Sequence, residues 1–216
     1  MFFVYYVPSS GRAIFYNDAY NNYLQPLTKT GVLSVARFHT AKPAGFNNST
    51  VTGYVYDASA KSLTATAIAA ADASAVALLS AKCAALQALT EAIGNSRHLY
   101  AKTLVGQFFA YQLKQAEATQ YQADVAAGST IVPGNYPTLL ASANASGLSL
   151  TQEAVAVLAQ EAAYQGNLKH TEVARVTETA KIIAATDLTT VQGYTSAYTT
   201  DYVGKYPFPT VAKVAS

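Results

Sequence analysis

The stretch VTGYVYDASAKSLTAT (51–66) followed by AIAAADASAVALLSAKCAALQALTEAIGN (67–95) contains the change of pattern that decides the fold. In the first part, β-branched and aromatic residues form two short runs, 51–56 and 62–66. Asp57-Ala58-Ser59-Ala60 separates them, which predicts a hairpin. From Ala67 the pattern turns helical. Val76, Leu79, Cys83, Leu86, Thr90 and Ile93 fall at steps of three and four, a heptad-like stripe with one polar interruption. Gly94-Asn95 is expected to stop that helix.

Upstream, the runs 2–7, 12–16 and 32–38 are again rich in Val, Ile, Phe, Tyr and Thr. Pro8-Ser9-Ser10-Gly11, Asn17-Asp18, Asn21-Asn22, Pro43-Ala44-Gly45 and Asn47-Asn48-Ser49 supply the turns. Antiparallel strands follow, with 2–7 pairing 12–16 and 51–56 pairing 62–66. Downstream, a helix from Ser96 or Leu99 to Ala127 carries a stripe of Leu104, Phe108, Tyr111, Gln115, Ala118 and Val125, and Gly128 ends it. After a loop at 129–135, a short helix begins near Pro137 and stops by Gly147. Ser149 and Gln152 form a capping box for a long helix bearing Val155, Leu158 and Ala162. That helix runs on, or restarts after Gly166, through Val173, Val176, Ala180 and Ile183. Asp187 caps a last helix to about Tyr202. The expected class is α+β: a small N-terminal antiparallel β unit, then a mainly α helical hairpin and bundle. The expected domains are a β-rich docking unit at 1–66, a helical domain at 67–206 and an extended arm at 207–216. Pro207 and Pro209 keep the arm out of a helix.

Among the 216 residues, 51% are hydrophobic and only 12% charged, about half the usual charged share. This composition excludes charge-driven disorder. A formal net charge of +2 gives no basic patch for nucleic acid. A surface of Ala, Ser, Thr, Gln, Asn and Tyr desolvates cheaply, which suits life inside an assembly as well as a neutral monomer. The opening run Phe2–Val7 has no basic flank and breaks at Pro8, so it reads as a strand and not as a signal peptide. The uncharged stretch from Val125 to Gln152 is interrupted by Gly128, Pro133, Gly134, Asn135 and Pro137, so no membrane helix is expected there. Cys83, the single cysteine, leaves no intramolecular disulfide.

The motifs of catalysis do not appear. His39, His98 and His170 are far apart in sequence, and His170-Thr171-Glu172 lacks the second imidazole of a zinc helix. No phosphate-cradling glycine loop and no serine elbow is present, and no cofactor is expected. Cys83, on its apolar stripe, is expected to be buried and unreactive. Glu117 and Asp124, seven apart, read as solvated residues, and Glu172, Arg175 and Glu178 as a salt-bridged exposed face. The sequons at Asn47, Asn48 and Asn144 are read as chance.

Aromatics are more informative, with 16 Tyr and no Trp. Tyr194, Tyr198, Tyr202 and Tyr206 recur every four residues, with Phe208 just beyond. Tyr20 and Tyr23 cluster with Asn17, Asn21 and Asn22. These seven aromatics are the candidate interface, since tyrosine offers wide contact at low entropy cost. The bland alternative is that the stripe docks the last helix on its own bundle.

Four elements suggest a family. They are Gln115-Ala116-Glu117-Ala118 with Tyr121, Pro137-Thr138-Leu139-Leu140, Gly147-Leu148-Ser149, and Ile182-Ile183-Ala184-Ala185-Thr186. Together they resemble the helical module of small tail-region proteins of tailed bacteriophages. The Trp that usually precedes the first element is missing here. The resemblance implies a non-enzymatic virion part of the tail, baseplate or fibre-connecting region, made in the host cytoplasm. Its partners would be other tail proteins and further copies of itself, with no nucleic acid and no membrane. The alternatives are a tail-fibre assembly chaperone, a neck or head accessory protein, or a carbohydrate-binding host-recognition module.

Overall fold

The computed structural model describes residues 1–20, 22–100 and 107–200. It is an α+β chain with small antiparallel sheets first and helices after. The described residues divide into two compact units, 1–94 with 174–200, and 95–173.

In the first unit, β1 (Phe2–Tyr6) is the centre of a three-stranded sheet, between β2 (Ala13–Asn17) and β3 (Ser34–Phe38). Both pairings are antiparallel, and a bulge between Tyr5 and Tyr6 shifts the β1–β2 register. The first four residues of β1 are buried, so the strand shows no polar alternation, whereas the edge strand β3 buries only Ala36 and Phe38. Phe2, Val4, Ala13, Ala36, Phe38, Phe46 and Val51 form one core cluster, with Phe2 stacked on Phe38 at 4.9 Å. The β1–β2 turn closes through Gly11, whose N–H donates to the Val7 carbonyl at 2.8 Å.

A second sheet pairs β4 (Tyr54–Asp57) with β5 (Ser62–Ala65), as the turn at 57–60 predicts. Asp57 Oδ1 accepts the N–H groups of Ser59 and Ala60, the local bond that makes Asp a turn former. One correction arises here: residues 51–53 form a 3-10 turn and not the start of a strand. Between β2 and β3 the chain is helical, a 3-10 turn at Asn22–Leu24 running into α1 (Gln25–Lys29), and it buries Leu24 and Leu27. Arg12 fastens the two sheets together. Its guanidinium donates to the carbonyls of Thr52 (3.2 Å), Thr66 (2.7 Å) and Ala67 (3.0 Å).

The helices are α2 (Ala73–Tyr100), α3 (Gln107–Ala126), α4 (Pro137–Ser146), α5 (Leu150–Ala184) and α6 (Leu188–Thr200). Helix α2 runs through Gly94-Asn95, contrary to expectation. A glycine in a helix costs only about 1 kcal/mol, which the packing of a 28-residue helix outweighs. Val76, Cys83, Leu86 and Ile93 of its stripe are buried, while Thr90 is exposed. Over Ala73–Arg97 this helix is long and apolar enough to cross a bilayer. In the protein Lys82, about a third of the way along it, donates to the Ile183 carbonyl at 2.7 Å. The capping box forms as expected, with Ser149 N–H to Gln152 Oε1 at 2.9 Å and Gln152 N–H to Ser149 Oγ at 3.2 Å. Asp187 caps α6 by accepting the Thr190 N–H at 2.8 Å, and that bond holds its carboxyl below the usual range.

The inward faces of α3 and α5 differ from the expected stripes. On α3, Tyr111 and Val125 are exposed, while Ala118 and Tyr121 are buried; Leu104 lies outside the described residues. On α5, which is continuous through Gly166, the buried line is Glu153, Ala154, Asn167, Thr171, Ala174, Glu178 and Ile182. Val155, Val173 and Val176 face outward. The apolar residues were expected to point inward, but neighbouring helices offer polar partners to Glu153, Thr171 and Glu178 instead.

Candidate functional site

Of the seven candidate aromatics, Tyr202, Tyr206 and Phe208 lie outside the described residues. The other four do not form one patch. Tyr198 is only 6% exposed, and its hydroxyl donates to Glu178 Oε2 at 2.7 Å. This position contradicts its assignment as an interface residue, since it anchors α6 on α5. It also corrects the reading of Glu178, which is buried and ion-paired with Lys181 at 2.7 Å. Tyr194 is half-buried and stacks on Tyr198 with ring centroids 6.5 Å apart. Tyr23 sets its edge against Phe15 and accepts a hydrogen bond from Asn17 Nδ2 at 2.8 Å. Tyr20 alone is largely open, 51% exposed, with its ring against Phe3.

The chemistry-bearing residues gather elsewhere, in the second unit, where α3, α4 and the start of α5 meet. Ala118, Tyr121, Tyr136, Leu139 and Ala154 make a small apolar core there. Polar groups of α3 at positions 114, 117, 121 and 124 line one edge of it, at steps of three and four. Glu117 Oε2 accepts the Leu139 N–H at 2.8 Å, so a carboxylate from α3 caps the first turn of α4, which has no cap of its own. Asp124 accepts the Tyr136 hydroxyl at 2.6 Å and Gln120 Nε2 at 3.0 Å. The phenol bond holds the Asp124 carboxyl below its ordinary value, and the same bond pushes the Tyr136 phenol up to about 12. Tyr121 Oη pairs with Thr151 Oγ1 at 2.6 Å. Glu117 and Asp124 are thus tertiary fasteners and not solvated residues. Their spacing with Lys114 and Tyr121 was the available signal, but only a partner helix gives it meaning.

A cleft of about 270 Å³ opens at the end of this seam, lined by Ala110, Tyr111, Lys114, Thr138 and Ser142. Lys114 Nζ donates to Ser142 Oγ at 3.0 Å and is 3.7 Å from Glu153 Oε1. Ser142 Oγ in turn donates to Glu153 Oε1 at 2.5 Å. The lysine nitrogen also sits 5.4 Å above the Tyr111 ring. Glu153 is buried, so the trio replaces its hydration with an ammonium and a hydroxyl. The serine proton is engaged by the carboxylate that neutralises the lysine. Chemically the trio is an internal strut with its open side on the cleft.

Cys83 is fully buried, and burial pushes its thiol up to about 12, as its place on the stripe predicts. His39 and His170 are exposed on separate elements, and the side chain of His98 lies outside the described residues. Among the described residues no group of three His, Cys, Asp or Glu side chains is arranged to hold a metal ion.

Exposed apolar side chains are the other feature. Leu113 on α3 is 59% exposed, and on α5 Val155, Val173 and Val176 are 46%, 64% and 55% exposed. On a chain with so few charges, these residues give the helices solvent-facing apolar surface. No family model matches the chain, and no curated protein or solved structure matches it.

Proposed function

We propose that the chain is a non-enzymatic structural component of the tail, baseplate or fibre-connecting region of a tailed phage, acting through protein–protein contacts. The observation that carries the assembly part of this reading is the outward-facing row of Val155, Val173 and Val176 on a sparsely charged molecule. The phage-tail part rests on the resemblance of residues 115–121, 137–140, 147–149 and 182–186 to the helical module of such proteins. The polar seam agrees in kind, since its carboxylates are engaged in holding helices together.

The test is quantitative mass spectrometry of purified particles against the infected lysate, with the major tail protein as the internal count. A fixed ratio of several copies per particle is expected. Abundance in the lysate with absence from particles would overturn the virion reading and favour an assembly chaperone.

A further inference from the structure

The cleft between α3 and α4 holds hydrogen-bonding capacity that the strut beside it does not consume. The Lys114 ammonium carries three N–H donors. One goes to Ser142 Oγ at 3.0 Å, while Glu153 Oε1, at 3.7 Å, lies beyond hydrogen-bond reach of a second. Ser142 gives its proton to Glu153 and accepts from Lys114, which leaves one lone pair. Thr138 lines the same cleft. Its Oγ1 is buried and has no hydrogen-bond partner, a costly state for a hydroxyl that needs an explanation. A threonine in a helix has two favoured χ1 rotamers, so this hydroxyl reaches the cleft by one rotation that breaks no bond of the fold.

We infer that this cleft binds a neutral polyhydroxyl ring, a single sugar residue. Charge selects against the alternatives. Lys114 lines the cleft and repels a cation. Glu153 stands behind it, and Glu117 caps α4 at Leu139, next to Thr138, so two carboxylates oppose one ammonium and an anion gains nothing. What remains on offer is a donor on Lys114, an acceptor on Ser142 and both functions on Thr138. Hydroxyl groups, which donate and accept at one atom, answer all three.

Carbon surface and size complete the match. Ala110 and the Tyr111 ring, whose residue is 44% exposed, give the cleft an apolar wall for the C–H face of a sugar. At about 270 Å³ the cleft lies just under the usual range of about 300–1,000 Å³ for ligand sites, so it holds one ring and not a chain. Glu153 acts here as a positioning residue, because its bond to Ser142 and its charge beside Lys114 hold both groups in place. All these residues lie within the unit 95–173. The inference goes beyond the reading of the chain as a tail component and does not depend on it.

Ligand-observed saturation-transfer NMR on the full-length chain tests it, with D-glucose, D-galactose and N-acetyl-D-glucosamine as neutral probes. At least one is expected to bind at about millimolar strength, ordinary for so small a guest. D-glucosamine and D-glucuronate, cationic and anionic rings of the same shape, should bind at least about tenfold more weakly. Thr138→Val should weaken binding about fivefold to tenfold while the melting temperature holds or rises, because the lost hydroxyl has no partner in the fold. Tyr111→Ala should weaken it to a similar degree. The methyl glycoside of the bound sugar separates two sources: retained binding points to the end of a glycan, and lost binding to a free sugar. Silence from every neutral probe well above millimolar concentration would overturn the inference. So would equal binding of the charged rings, or parental affinity in both variants. The particle copy number tests the virion reading separately, so the two fail by different measurements.

Discussion

The Tyr198 hydroxyl donates to the buried carboxylate of Glu178 at 2.7 Å and so ties α6 to the end of α5. Glu178 also receives Lys181, but that lysine is half exposed and screened by water, whereas the Tyr198 phenol is enclosed. Tyr198→Phe removes one hydroxyl and leaves a buried charge short of a partner. The expected loss is about 1.5–3 kcal/mol in urea denaturation. Tyr194→Phe, at the half-buried neighbouring ring, is expected to stay within about 0.5 kcal/mol. Equal losses for the two variants would refute the anchoring role of Tyr198.

The Asp124–Tyr136 bond makes stability depend on pH at both ends of the scale. The folded Asp124 carboxyl titrates below its ordinary value of 3.8, so its contribution is present above that pH and is lost as pH falls through the folded value. The Tyr136 phenol titrates at about 12 against an ordinary 10.0. Its contribution is therefore complete below pH 10.0 and is lost as pH rises towards 12. Asp124→Asn should lower the melting temperature at neutral pH and flatten both limbs of the curve. A difference from the parent that stays constant from acid to alkali would contradict this coupling.

Among the described glycines, Gly11 is the position where backbone geometry admits no side chain. Its φ is +68°, and an added Cβ would lie 2.3 Å from the Tyr56 carbonyl oxygen, a backbone atom that cannot swing away. The Tyr56 N–H donates to the Gly11 carbonyl at 2.7 Å, so moving one strand loosens the other. Gly11→Ala is expected to cost more than about 2 kcal/mol. Gly31→Ala, at a similar φ of +73° with nothing within 4 Å, should cost only the conformational penalty of about 1–2 kcal/mol. Thermal melts of the two variants side by side decide it, and similar losses would dismiss the steric account.

What could be read in advance follows from the range of the forces involved. The hairpin at 54–65, the capping box of Ser149 and Gln152 and the cap at Asp187 are local, each closed by bonds between residues a few positions apart, and each appears as expected. The inward face of α5 could not be read this way. Apolar periodicity assigns Val173 and Val176 to the core, yet Thr171 and Glu178 take that place because Arg97 bonds the first and Tyr198 the second. The same holds for Glu117 and Asp124, whose partners Leu139 and Tyr136 come from another element. Among the tyrosines, the four-residue spacing marks a helix face correctly but does not say whether the face meets the protein's own core or another chain.

The Lys114–Ser142–Glu153 strut separates a fastening role from a chemical one. Glu153→Ala leaves Lys114, mostly enclosed, without its countercharge, and the expected loss is about 3 kcal/mol. Replacing the set together, by Lys114→Met, Ser142→Ala and Glu153→Leu, removes every polar group that needs a partner and adds apolar contact between α3, α4 and α5. That triple variant should recover most of the loss and fall within about 1 kcal/mol of the parent in guanidinium denaturation. On the proposed reading of the chain as a virion component, the triple variant should also be found in purified particles at the parental copy number, because a strut needs only shape and adhesion. Recovery of stability with loss from particles would mean that the open side of the strut, on the cleft beside Tyr111, is used by a partner and is more than an internal brace.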